Sequence, residues 1–515
     1  MVGAISPLPL SAGQPGLRKP NIVFFLVDDL GWFDLGCYGN RFIETPHIDR
    51  FAAEGMRFTD AYAPASLCVP SRASMMLGQT PARLHLTNNP SANRLDARSP
   101  VHPARCPNPF VINSPTIAEM LKTVGYATAI VGKWHVDRWT LDRAKNRHGF
   151  EIAIGGPAHY SLFNPLDEPA RYALVRNGIP SDEPYFVDEL TDRAIAFMEK
   201  NHDRPFFLCL SHFAVHIPLV AKAAKIAKYR RKAATYRPQN GELVNVHYAA
   251  MVESVDESFG RIVKTLRRLR LEDNTIILLF SDNGGLATTY QATGHQQELE
   301  ARGRGCYTEF VPATSNGPLR LGKGFLYEGG IREPCIIKWP HVTQRGSVCR
   351  VPIIGYDFFP TFCEAAGIDP QAISNRVMLD GRSLVPVLKD SAATLDREAL
   401  FWHFPHFSNE GGRPSSAVRA GRWKLIEHLE YGEIELFDLQ HDPGETRNLA
   451  ERMPERAKGL RTMLERWRKR LNAAMPTPKP LSCKSLRGPR RAMGSIGSHY
   501  APTRFDGRTE MLRRN

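Results

Sequence analysis

The sequence predicts an α/β fold: a central, mostly parallel sheet flanked by helices, with a smaller C-terminal subdomain containing an antiparallel sheet. Three observations lead there. Strand-length runs of β-branched and aromatic residues alternate with segments of helical periodicity. The ends of these runs carry polar and charged side chains, at the rim where open parallel sheets bind ligands. Beyond Leu395 the pattern changes to short alternating strands separated by turns.

Taken in order, residues 1–19 read as an extension. Their first charge is Arg18, and Pro7, Pro9 and Pro15 interrupt any apolar stretch, so no export signal is expected there. The main domain is expected over 20–395. Its first strand, Asn21–Val27, runs into Asp28 and Asp29; Ala127–Val131 runs into Gly132, Lys133, Trp134 and His135. The strand Pro205–Leu210 leads to Ser211 and His212, with His216 further on, and Thr275–Phe280 leads to Ser281, Asp282 and Asn283. Between the last two strands, Tyr248–Leu269 reads as an amphipathic helix with Met251, Val255, Phe259, Ile262 and Leu266 on one face. The subdomain is expected over 396–475, with strands in Val418–Leu439, the loop DPGETRN and a closing basic helix near Pro454–Leu471. Residues 476–515, rich in Pro, Gly, Ser and Arg, read as a disordered tail.

Composition narrows the class. With 515 residues, 42% hydrophobic and 23% charged, the chain is neither coiled coil, collagen-like nor wholly disordered. No apolar run approaches the roughly 18 residues of a membrane span. The net charge of +14 would suit a polyanionic partner, yet Pro476–Asn515 carries nine basic residues against Asp506 and Glu510, half of the excess. No specific nucleic-acid partner is therefore expected. The nine cysteines lack the spacing of a disulfide framework or a CxxC zinc site.

The most specific motif is Cys68-Val69-Pro70-Ser71-Arg72, followed by ASMMLGQ. Around it stand PNIVFFLVDDLGW, TPHIDRFAAEGMRFTDAYA, GYATAIVGKWH, HFAVHIPL, FSDNGG, GKGFLYEGGIREP and FDLQHDPGETRNLA. In order and spacing the chain resembles the type I sulfatases, the arylsulfatase-like, formylglycine-dependent branch of the alkaline phosphatase superfamily, over roughly residues 20–450. The resemblance implies an alkaline-phosphatase-like core and hydrolysis of an aryl or carbohydrate sulfate monoester to an alcohol and sulfate. It implies that a formylglycine-generating enzyme converts Cys68 to formylglycine, and that one calcium ion is bound per chain, with magnesium as the other choice. Asp28, Asp29, Asp282, Asn283 and the Cys68 side chain match the metal positions; Cys68, Arg72, Lys133, His135, His216 and Lys323 match the catalytic ones. Leu77 and Gln79 depart from the threonine and arginine that many members carry. Most relatives are exported, which implies a periplasmic or secreted protein against the reading of the N-terminus.

The residue types suit that chemistry. A sulfate ester needs a cation for its non-bridging oxygens, a nucleophile for sulfur and an acid for the leaving oxygen. Asp28, Asp29, Asp282 and Asn283 are hard oxygen donors, which favour calcium or magnesium over zinc. A hydrated formylglycine offers one hydroxyl to attack sulfur and a second to expel sulfate. Lysines serve as point charges and histidines as proton carriers: Lys323 and His216 for the leaving oxygen, His135 for the second hydroxyl, Asp282 as base for the first. Ser71 and Arg72 open a helix whose free amides favour an anion. His212 reads as a substrate contact or a packed histidine. FSDNGG and GKGFLYEGG lack the spacing of nucleotide loops and present Asn283 and Lys323. His295, Arg302, Arg304 and Arg320, on the long loop between those two, are candidates for substrate recognition. The competing readings are a phosphoester or phosphonate hydrolase on the same scaffold and a non-enzymatic polyanion-binding protein.

Overall fold

The computed structural model describes residues 19–89, 95–96, 99–106, 112–136, 148–156, 178–180, 183–239, 241–288 and 312–479. The strands Asn21–Val27 (β1), Met56–Phe58 (β2), Ala127–Lys133 (β3), Ile152–Gly156 (β4), Phe206–Ser211 (β5), Thr275–Ser281 (β6), Cys335–Lys338 (β7) and Ser347–Cys349 (β8) form one sheet. Its order is β8-β2-β7-β6-β1-β5-β3-β4. The five strands from β6 to β4 are parallel. β7 runs antiparallel to both β6 and β2. The predicted core strands thus lie side by side at the centre. The short β2, β7 and β8 extend the sheet on one side.

Helices Pro46–Glu54 (α1), Cys68–Leu77 (α2), Phe186–Lys200 (α3), Val246–Arg268 (α4) and Phe358–Ala365 (α5) cover the sheet. α1, α3 and α4 pack on one face, α2 and α5 on the other. β1 shows why its sequence is continuously apolar. Val23, Phe25 and Val27 face the first layer while Ile22, Phe24 and Leu26 face the second, so both sides of the strand are buried. Phe25 meets Phe259 of α4 edge-on at 5.1 Å, and Phe24 meets Phe358 of α5 at 5.7 Å. α4 starts where Asn245 accepts hydrogen bonds from the His247 and Tyr248 amides. β3, β5 and β6 run one or two residues further than their apolar runs, because parallel pairing continues through Gly132–Ser211 and Val27–Ser281.

The C-terminal part is a four-stranded antiparallel sheet of Leu400–Phe404 (β9), Ser415–Ala420 (β10), Trp423–His428 (β11) and Glu433–Asp438 (β12), closed by helix Pro454–Arg470 (α6). β9, which precedes the alternation read from sequence, is its first strand. Val418, Leu425 and Leu436 bury against Leu460, Leu464 and Trp467 of α6. The other face, with Trp402, Ala417, Ile426 and Phe437, packs on Tyr62, Leu67, Leu326 and Ile331. At that junction Lys424 Nζ lies 2.8 Å from both Glu328 Oε1 and Glu445 Oε1, all fully buried. This face therefore braces the segment that carries Lys323. Residues through Thr477 form one compact unit. Of the tail predicted as disordered over 476–515, residues 476–479 are described, with Thr477–Pro478 forming a short strand, and 480–515 lie outside the described residues. Among the described residues no helix is long and apolar enough to cross a membrane.

Candidate active site

The carboxyl ends of the central strands deliver the polar residues to one place. After β1 the chain turns at Asp29 with a left-handed φ of 61°, a conformation that aspartate tolerates better than most residues. Asp282 follows β6, its amide bonded to the Val27 carbonyl at 3.1 Å. At the end of β3, Gly132 has φ 112°, and a Cβ there would stand 1.8 Å from the Ser211 carbonyl oxygen, so only glycine lets β3 and β5 close up beside Lys133. Lys323 arrives on a loop whose amide bonds the Gly285 carbonyl at 3.1 Å.

Three buried cations meet three buried carboxylates. Lys133 Nζ donates to Asp28 Oδ2 at 2.6 Å. Lys323 Nζ donates to both oxygens of Asp29, at 2.8 and 2.7 Å. Arg72 Nε donates to Asp282 Oδ2 at 2.6 Å, and its Nη1 to Ser211 Oγ at 2.6 Å and the Lys133 carbonyl at 2.9 Å. Asn283 Nδ2 donates to Asp29 Oδ1 at 2.7 Å. Burial opposes ionisation of Asp28 and Asp29, but Lys133 beside the first and Lys323 beside the second hold both carboxyls below their ordinary values. Burial dominates at Asp282 and lifts it. Burial also works against the Lys133 and Lys323 charges, and the adjacent Asp28 and Asp29 outweigh it.

Cys68 is the first residue of α2. Its Sγ groups within 4.8 Å with carboxylate oxygens of Asp28 and Asp282, and likewise with Asp29 and a ring nitrogen of His216. Burial, opposed by Lys133 and Lys323, pushes its thiol up to about 11. As a cysteine it is therefore a protonated, weak nucleophile near neutral pH. His216 lies beside Asp29, with Nε2 3.7 Å from Oδ2 and Nδ1 2.6 Å from the Ile217 carbonyl oxygen. That second contact assigns the proton to Nδ1 and leaves Nε2 facing the carboxylate. Burial, and then Lys323, push the imidazole down to about 4.

The structure brings Asp28, Asp29, Cys68, Arg72, Lys133, His216, Asp282, Asn283 and Lys323 together. His135 stands two residues past β3, half-buried, with φ 52°. His212 resolves as a packed histidine. It is fully buried, 5.1 Å from the Phe25 ring, with Nε2 2.9 Å from Ser258 Oγ of α4. Arg320, a substrate candidate by sequence, instead braces the C-terminal part: it lies over the Tyr327 ring at 4.0 Å and donates to the Glu445 carbonyl at 3.1 Å. His295, Arg302 and Arg304 lie outside the described residues. Two carboxyls escaped the sequence reading. Glu333, in the quoted GGIREP, is fully buried with neither oxygen hydrogen-bonded, and burial followed by Asp282 and Asp29 pushes its carboxyl well above the ordinary value. Glu410 sits in the unremarkable SNEGG and shows no sequence signal at all.

The donor chemistry fits a hard cation. Asp28 Oδ1 and Asn283 Oδ1 are both buried without a hydrogen-bond partner. Orphaned buried oxygens of this kind are costly unless something electropositive satisfies them, and an all-oxygen set suits calcium or magnesium.

Comparison with known proteins agrees with this geometry. The family model described as Sulfatase matches residues 20–368, and that for the C-terminal part of N-sulphoglucosamine sulphohydrolase matches 320–472. The chain is 29% identical to a sulfatase of Formosa agariphila, with 87% of this chain and 88% of that one covered. It is 32% identical to the N-acetylgalactosamine-6-sulfatase of Sus scrofa, over 75% of this chain and 70% of that one. The solved structure of Ps i-CgsB in complex with k-i-k-neocarrahexaose superposes with a TM-score of 0.66 at 26% identity, covering 88% of this chain and 93% of that one. With the family model spanning the whole α/β layer that holds these side chains, the chain belongs to the sulfatase family and is an enzyme of sulfate ester hydrolysis.

Proposed function

We propose that the protein hydrolyses a sulfate monoester of a carbohydrate or aryl alcohol, using Cys68 in its formylglycine form and one divalent cation, calcium or magnesium. Asp28, Asp29, Asp282 and Asn283, with the Cys68 side chain, would hold the cation. Bound there, it supplies positive charge for the non-bridging sulfate oxygens. Hydrated formylglycine supplies one hydroxyl as nucleophile and a second to expel sulfate.

The chain's own residues do the rest. The Cys68 and Val69 amides, at the start of α2, form the positive end of the helix dipole, which favours an anion. Arg72, locked by Asp282, Ser211 and the Lys133 carbonyl, fixes that helix end against the strand ends. Lys133 and Lys323 neutralise sulfate oxygens. Asp282, whose carboxyl is lifted by burial, accepts the proton of the attacking hydroxyl. His216 and Lys323 provide the proton and hydrogen bond for the leaving oxygen. His216 is neutral in the free protein, and an incoming sulfate anion beside it favours its protonated form. His135 takes the proton of the second hydroxyl.

The observation that carries this reading is Cys68 Sγ lying among the Asp28, Asp29, Asp282 and His216 ligand atoms. The test is the mass of the Cys68 peptide from the native host, together with rates on an aryl sulfate and an aryl phosphate. Exchange of the thiol for a carbonyl oxygen and faster sulfate hydrolysis are expected. An intact thiol in fully active protein removes the nucleophile, and a preference for phosphate removes the sulfate specificity.

A further inference from the structure

We propose that Glu410 is a specificity-determining residue: its carboxylate accepts a hydrogen bond from a hydroxyl or N–H group next to the sulfate ester. The substrate class is then a sulfated sugar bearing a free donor beside the ester and no second anion there. This rests on the sulfatase reading above and deepens it.

The loop that follows β9 folds tightly on itself. The Ser408 amide bonds the Gly412 carbonyl at 2.9 Å, and the Gly412 amide bonds Ser408 Oγ at 2.8 Å. The folded loop is pressed onto Gly324. A Cβ on Gly324, whose φ is 84°, would stand 2.6 Å from Ser408 Oγ and 2.9 Å from Glu410 Oε2. From another side, Thr288 Oγ1 donates to the Glu410 carbonyl at 3.1 Å. Thus the carboxyl is seated on the residue adjacent to Lys323, the group assigned to the bridging oxygen. Glu410 is only 8% exposed, close to the 6% of Lys323 and Cys68.

The Lys323 ammonium is hydrogen-bonded to both oxygens of Asp29, and Glu410 adds only a lesser charge attraction to it. Burial is also what sets the state of Glu410. It lifts the carboxyl above its ordinary value, Lys323 and a hydrogen bond from the Ser408 side chain oppose that, and Asp29 adds to it. A carboxylate has about four acceptor sites, so beyond the Ser408 contact it can still accept from a ligand donor. A second sulfate or carboxylate on the substrate would meet both Glu410 and Asp29 as like charges. A buried polar group built for a ligand donor discriminates sharply against ligands that lack it.

The test compares the full-length protein with Glu410→Gln and Glu410→Ala. The probes are 4-nitrophenyl sulfate and a panel of monosulfated hexoses and N-acetylhexosamines, each with the neighbouring hydroxyl free or O-methylated. The wild type is expected to favour a free-hydroxyl sugar over its methylated counterpart by about tenfold or more. Both variants are expected to lose that preference, and their sugar-to-aryl ratio of kcat/KM falls by about tenfold or more. Aryl turnover by the same samples reports that the site has assembled. A ratio that stays constant in the variants overturns the inference. So does a wild type that cleaves the aryl sulfate and none of the sugars. A wild type that cleaves neither removes the sulfatase reading itself, and this inference with it.

Discussion

Arg72 and Asp282, 210 positions apart, are joined by a 2.6 Å hydrogen bond from Nε to Oδ2 in a fully buried pair. The same guanidinium bonds Ser211 of β5 and the carbonyl of Lys133 on β3. One side chain of the motif helix therefore ties three strand ends together. Arg72→Ala leaves Asp282 charged and unpaired, and is expected to cost about 3–5 kcal/mol of stability along with the activity. Arg72→Lys keeps the charge but loses the fork, so turnover should fall while stability drops less. Urea denaturation beside aryl sulfate assays checks both, and an Ala variant of unchanged stability refutes the tie.

Cys68 should be chemically indispensable and structurally minor. Cys68→Ala is expected to lower turnover by about a thousandfold or more, the scale on which nucleophile deletions act. Its stability should stay within about 1 kcal/mol of wild type, because the side chain is small. Thermal melts and initial rates on one preparation separate the two effects. Residual turnover near the wild-type rate would exclude Cys68 as nucleophile.

Removing the cation should uncover buried repulsion. Dialysis against a chelator is expected to lower both the melting temperature and the rate, and added calcium to restore them. At a hundredfold excess over Kd a bound cation is worth about 2.7 kcal/mol. Asp28→Asn should blunt the calcium response and leave Lys133 without its 2.6 Å carboxylate partner. A melting temperature indifferent to chelator and calcium contradicts the assigned site.

Buried neutral histidines predict acid instability. His403 is held between Ser416 Oγ and the Ala474 carbonyl, each at 2.7 Å, and burial pushes it down to about 4. Burial likewise pushes His212 down to about 3. Since the folded values lie below the unfolded value near 6.5, the unfolded chain binds more protons as pH falls. The contribution of each histidine is complete above about 6.5 and is lost as pH drops towards the folded value. Each should add a slope of about 1.4 kcal/mol per pH unit in that window. Denaturation midpoints from pH 7 to 5 should show a shallower slope in His403→Gln, and identical slopes would contradict the assignment.

Much of the site was legible because its signals are local. Asp28-Asp29, Lys133, Ser211 and Asp282-Asn283 each follow an apolar run, and a parallel sheet brings such ends to one rim. The sequence places the helix start at Ser71 and Arg72, and α2 begins three residues earlier, at Cys68, so both lie inside its first turns. His212 shows where this stops. Reading along the chain could not decide whether a strand-end histidine faces the rim or the helix layer, and here Phe25 and Ser258 enclose it.

By itself the sequence determined the fold class, the central strands, the long helix before the last of them and the types of residue available for catalysis, since each is written in short-range periodicity or a contiguous motif. Tertiary structure alone decided partnership. Lys323 reaches Asp29 across 294 positions, and Arg320 stacks on Tyr327 and donates to the Glu445 carbonyl. Glu410 comes to rest on Gly324 from a separate sheet. The physical reason is that burial, pairing and charge neutralisation depend on which surfaces meet when the layers pack, and that information is spread over the whole chain.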